Sequence, residues 1–165
     1  HTIKCSGFLF EEKKSKRKIV KSEAEKHHVP YDKINSLKDG LDWVNAEGKI
    51  ILNDLLTIEN SLPHKYAFCS DTRYNEGLIE KIKDVDLLYY ETTFMSGLED
   101  RAMQTGHSTT LQAASIAKKS AVRNLLIGHY SQRYKNLKDL LDETKLSFEN
   151  TQLSYPGLQV DFTAL

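Results

Sequence analysis

Three short apolar runs frame this chain: Tyr66-Ala67-Phe68-Cys69, Asp86 to Tyr90, and Asn124 to Ile127. Each is followed by sequence whose apolar residues recur at helical spacing. Leu78, Ile79, Ile82 and Val85 mark a helix over Gly77 to Val85. A short helix over Leu98 to Gln104 and a longer one over Ser108 to Ser120 follow the second run, and Leu137 to Leu146 follows the third. Runs of strand length alternating with amphipathic helices predict an α/β fold. Its sheet is expected to be mixed but mostly parallel, buried on both faces and joined by right-handed crossovers. Leu158 to Phe162 reads as a last strand, and His1 to Glu12 as a first strand with a bulge at Gly7.

The 165 residues suit one ordinary domain. A chain near this length buries roughly 68–70% of its unfolded surface, so its core needs no staples. Cys5 and Cys69 stand far apart with no Cys-x-x-Cys spacing, which excludes a disulfide framework and a zinc ribbon. The 23 Lys and Arg balance 23 Asp and Glu, so a chain basic over its whole surface is also excluded. Any contact with RNA would have to come from a local patch or a site. In residues 11–45, Lys13, Lys14, Lys16, Arg17, Lys18, Lys21 and Lys26 stand against Glu11, Glu12, Glu23 and Glu25 with few large apolar residues, as in a solvated, arm-like insertion. It is expected to end in a small hairpin of Trp43-Val44 with Lys49-Ile50-Ile51-Leu52. No run approaches membrane-spanning length and no signal sequence opens the chain, so a cytoplasmic protein is expected. The start at His1 rather than Met suggests a fragment of something longer.

The three runs end at Asp71, Glu91 and His129, each able to bind a metal or move a proton. The carboxyl edge of an α/β sheet is where ligands bind, because strand ends converge there and their loops fold over a common crevice. Taken singly, Ser70-Asp71-Thr72 also suits a turn or cap, and His129 a hydrogen-bonded structural residue. A fourth element is Gly106-His107-Ser108-Thr109-Thr110, which opens the best helix; Ser108 or Thr109 can cap it, leaving His107 at its positive end. A Glu91–His107 pair would orient the ring for general-acid work, whereas alone His107 serves the turn equally well.

Four blocks carry a resemblance: Phe68-Cys69-Ser70-Asp71-Thr72-Arg73, Tyr90-Glu91-Thr92-Thr93-Phe94, Gly106-His107-Ser108-Thr109-Thr110-Leu111-Gln112-Ala113-Ala114 and Gly128-His129-Tyr130-Ser131-Gln132-Arg133-Tyr134. In order and spacing they resemble ribonuclease Z, the tRNA 3′-processing endonuclease of the metallo-β-lactamase superfamily. The resemblance implies the carboxyl-terminal half of an αβ/βα sandwich. It makes Asp71 a carboxylate bridging two zinc ions, with His129 and His1 as further ligands. It gives Glu91 and His107 to proton transfer, and places Ser108, Thr109 and Arg133 near the scissile phosphate. It makes the charged arm a grip on precursor tRNA, whose phosphates basic residues position without reading sequence. It also implies a homodimer, with neither DNA nor a membrane as partner.

The family's main metal motif, His-x-His-x-Asp-His, is absent, and Tyr90 stands where the family commonly has His. The chain alone is therefore expected to be inactive and its zinc site incomplete. Alternatives are another binuclear metallo-hydrolase acting on a small ester, and a non-catalytic α/β binding module whose polar strand ends are caps.

Overall fold

The computed structural model describes residues 5–165, so His1 lies outside the described residues. Up to the middle of the chain the elements are β1 (Phe8–Glu11), β2 (Lys18–Ile19), α1 (Lys21–Lys26), α2 (Ile34–Lys38), β3 (Trp43–Val44), β4 (Ile50–Ile51), α3 (Asn53–Leu56) and β5 (Thr57–Ile58). There follow β6 (Lys65–Cys69), β7 (Leu87–Glu91), α4 (Glu99–Thr105), α5 (Thr110–Lys119), β8 (Asn124–Gly128), α6 (Lys138–Lys145) and β9 (Thr151–Leu153). The chain divides into two compact units, one of residues up to Glu12 with His64–Leu165, the other of Lys13–Pro63.

In the larger unit five strands form a sheet in the order β1-β6-β7-β8-β9. Only β1 runs antiparallel to its neighbour; β6 to β9 are parallel, with Tyr66 opposite Leu87 and Glu91 opposite Gly128. Alternation sends Ala67, Cys69, Leu88, Tyr90, Leu125 and Ile127 to one face, where they pack on Ala113, Ile116 and Ala117 of α5 and Leu140 of α6. Small residues at Ala113, Ala114 and Ala117 let α5 lie close to the strands. Each fully buried Leu or Ile contributes about 1.5–3 kcal/mol relative to exposure. Cys69 is part of this packing, and burial pushes its thiol pKa up to about 11.

The other face is aromatic and only partly covered, which corrects the expectation of a sheet buried on both sides. Phe8 and Phe10 are 57% and 55% exposed, Phe10 stacking on Tyr66 at 5.8 Å and Phe68 on Tyr89 at 4.6 Å. Leu158, Val160 and Phe162 line a cleft against this face and form no strand. The turn at Pro156-Gly157, with Gly157 at φ +85°, precedes a segment whose apolar side chains lie on the sheet instead of extending it, and Thr151–Leu153 takes the edge position. The helix expected over Gly77 to Val85 is a 3₁₀ segment, Glu76–Lys81, begun by the Asn75 side chain accepting from the Gly77 amide and followed by Asp84 at φ +56°. Among the described residues the first strand begins at Phe8, with Cys5 to Gly7 outside it.

The smaller unit is more than a solvated excursion. Its β3–β4 hairpin forms as expected, and Leu37, Ile51 and Leu56 make a small core with Ile19, Val29 and Trp43 around it. Asn53 holds that core from inside, donating to the Leu37 and Leu41 carbonyls at 2.8 and 2.7 Å. Among the described residues no helix is long and apolar enough to cross a membrane.

Candidate active site at the carboxyl edge of the sheet

Parallel register places the ends of β6, β7 and β8 side by side, and the loops leaving them carry Asp71, Glu91 and His129. Glu91 is fully buried at the end of β7, and both its oxygens accept hydrogen bonds. Oε1 accepts from the Thr72 amide at 3.0 Å, and Oε2 from the Thr93 amide at 3.1 Å, the Thr93 hydroxyl at 2.7 Å and the Ser108 amide at 3.2 Å. His107 Nδ1 lies 2.8 Å from Oε1. A carboxylate with this set of donors accepts a proton bond from Nδ1–H, so Nε2 is the ring atom directed to chemistry.

His129 is fixed by a similar argument. Thr93 Oγ1 lies 2.8 Å from His129 Nδ1, and its single proton has oxygen acceptors in Glu91 Oε2 at 2.7 Å and the His129 carbonyl at 3.1 Å. The hydroxyl therefore accepts from Nδ1–H, and Nε2 of His129 faces Asp71 Oδ1 at 2.9 Å. Two lone pairs at that distance repel, so the contact calls for a positive centre between them, a proton or a metal ion. One threonine thus orients both the buried carboxylate and the imidazole that faces Asp71.

Asp71, His107 and His129 each offer a ligand atom, all within 4.8 Å of one another. The His107 and His129 rings stack at 5.1 Å with planes 29° apart. A carboxylate with imidazoles held from behind by hydrogen bonds is a donor set suited to a divalent transition metal such as zinc. Asp71 and His129 both adopt left-handed backbone, φ 48° and 57°, which turns their side chains from strand direction into the shared crevice. Gly128 lets the Tyr89 and Ser154 hydroxyls lie close against the end of β8, where a Cβ would collide with both.

Thr109 caps α5, with the reciprocal Gln112 bond completing a capping box. Ser108 and Thr109 are fully buried, and the Ser108 hydroxyl donates to the Thr72 carbonyl at 2.7 Å. Arg133 is exposed on the rim, its guanidinium carbon 5.0 Å from the Phe94 ring centre, and Phe94 meets His107 edge-on at 6.2 Å. Tyr90 is buried in the core cluster. Thr72, Thr93 and Phe94 are site residues that strand-end reasoning passes over; they stand in the blocks that carry the resemblance, without a role assigned to them there.

No protein-family model matches the chain. Over 154 residues, 93% of this chain and 49% of the relative, it is 42% identical to a protein of Bacteroides thetaiotaomicron named ribonuclease Z. The chain spans about half the length of the curated relatives it matches. Among solved structures it is similar to the metallo-β-lactamase fold protein YhfI from Bacillus subtilis, at TM-score 0.54 and 25% identity, over 58% of this chain and 39% of that one. It is also similar to a long-form RNase Z from yeast, at TM-score 0.53 and 26% identity, over 61% of this chain and 14% of that one.

Proposed function

We propose that this chain, a homologue of about half of ribonuclease Z with the metallo-β-lactamase fold, supplies one wall of the active site of a tRNA 3′-processing endonuclease. The observation that carries the reading is the Glu91–His107 bond set directly beside the Asp71–His129 pair. A proton-handling couple and a cation-handling couple in contact are what hydrolysis of a phosphodiester requires.

In this reading Asp71 and His129 hold zinc, with His1 as a further ligand. A bound metal supplies Lewis acidity, polarising the phosphodiester and easing deprotonation of the attacking water. The chain's own residues do the rest. Glu91 keeps the His107 ring turned by accepting Nδ1–H, so that a second proton, carried on Nε2, passes to the departing O3′ as the attacking water's oxygen bonds to phosphorus and its proton leaves to solvent; the products are a 3′ hydroxyl on the tRNA and a 5′ phosphate on the trailer. Arg133, spread over Phe94, contacts the phosphate oxygens from the rim. Ser108 and Thr109, being buried, serve the phosphate indirectly, through Glu91 and the start of α5. Lys and Arg residues between Lys13 and Lys26 contact the tRNA backbone. The active species is a cytoplasmic homodimer that also contains the metal motif this chain lacks.

In the intact protein, Asp71→Ala is expected to abolish both metal content and cleavage of precursor tRNA, and retained cleavage would defeat the assignment. His107→Ala is expected to keep the metal and slow cleavage by about 10²–10⁴-fold. Faster turnover of a chromogenic ester than of precursor tRNA would shift the reading to a small-ester hydrolase.

A further inference from the structure

Behind the Glu91–His107 pair lies a second carboxylate that the proposed chemistry does not use. Glu143 extends from α6, whose Leu140 and Thr144 are buried against the core. It accepts from the Ser96 amide at 3.0 Å and from the hydroxyls of Ser96 and Thr110. Among the described residues it forms no ion pair.

Its partners belong to the two segments that carry the site. Ser96 lies in the segment that follows β7, three residues after Thr93, which binds both Glu91 and His129. Thr110 is the first residue of α5, three residues after His107 and two after Ser108, whose amide binds Glu91. The two segments touch directly through Phe94 N to Ser108 O at 3.2 Å and Thr110 N to Phe94 O at 2.9 Å. The Met95 amide also donates to the Tyr134 hydroxyl at 2.9 Å, so the turn is gripped on two sides from elements beyond it. A charged acceptor at the first turn of α5 is favoured by the helix dipole as well.

We propose that Glu143 is a positioning residue: by holding the turn after β7 and the start of α5 with one carboxylate, it fixes the spacing between Glu91 and His107. Burial alone would raise its pKa, but the Ser96 and Thr110 hydroxyls and the Ser96 amide outweigh that and hold it below the ordinary 4.5, so it is charged at neutral pH. The inference rests on the proposed function for its kinetic consequence but not for its geometric one.

The test is made in the intact, metal-loaded protein with Glu143→Ala and Glu143→Gln. Glu143→Ala is expected to lower kcat for precursor tRNA by about 10–100-fold with KM and metal content unchanged, and Glu143→Gln, which keeps one acceptor, to recover part of the loss. In parallel, the low-field proton signal of His107 Nδ1–H against Glu91 should weaken or move in Glu143→Ala. Should that variant fail to fold, Ser96→Ala with Thr110→Val removes the same hydroxyl donors and is expected to give the same two effects. Unchanged kcat and an unchanged proton signal with only a lower Tm would overturn the proposal. If the wild-type protein does not cleave precursor tRNA, the functional reading fails, and the proton signal still decides the role of Glu143.

Discussion

The two ends of β7 each carry a carboxylate that meets a histidine, and they are built differently. At the amino end, Asp86 accepts from the Lys65 amide at 2.8 Å, pairs with Arg123 at 3.0 Å and lies 3.8 Å from His64. Its own amide and carbonyl stitch β6 to β8, donating to the Lys65 carbonyl and accepting from the Asn124 amide. At the carboxyl end, Glu91 is fully buried and, among the described residues, pairs with no Lys or Arg; backbone amides, one hydroxyl and His107 bond to it. A guanidinium neutralises the first carboxylate and closes it as a structural knot. Neutral donors hold the second in place while leaving its histidine facing Asp71 and His129. Nearly the same residue types thus make a brace at one end and a candidate active site at the other, and compensation of charge separates them.

The contrast can be broken by exchange of effects. Glu91→Gln should cost most, lowering precursor cleavage in the intact protein by about 10–100-fold or more, because the His107 ring loses the acceptor that orients it. Asp86→Asn should act oppositely, leaving kcat near wild type while unfolding measurements show a loss of about 1–3 kcal/mol from disturbed buried acceptors. An equal kinetic loss at both positions would remove the distinction. Arg123→Ala should cost about 0.2–1 kcal/mol, since its side chain is 62% exposed, and that loss should shrink in high salt.

The smallest effect concerns pH. Because the Glu143 pKa is depressed in the folded protein, its stabilising contribution is complete above the ordinary 4.5 and is lost as pH falls through the lower folded value. The Tm gap between wild type and Glu143→Gln should therefore be present at neutral pH and close in acid. A gap that widened in acid would contradict the charged state assigned to this group.

Much of the site was legible because the carboxyl-edge rule depends only on where apolar runs stop, and Asp71, Glu91 and His129 stop them. What was not legible depends on the path of the loops. Asp and His are among the residues that tolerate left-handed backbone, but residue type alone does not say that Asp71 and His129 adopt it or that the Thr93 hydroxyl meets two partners. Nor does the pattern of α6 announce that Glu143 reaches Ser96 and Thr110, since a Glu on a helix surface ordinarily faces solvent. The last strand was misplaced because Leu158 to Phe162 has the stronger apolar alternation, whereas Thr151-Gln152-Leu153 gains its place by pairing with β8. In the charged region, composition concealed a core made by few residues, chiefly Leu37, Ile51 and Leu56.

The account rests on Asp71 and His129 being the cation-holding half of the site, and a crystal of the intact protein with zinc, measured at the zinc absorption edge, tests this most directly. It predicts an anomalous peak about 2.0–2.2 Å from an Asp71 carboxylate oxygen and from His129 Nε2. A fully occupied zinc bound elsewhere, with Asp71 and His129 in contact only with each other, would contradict it.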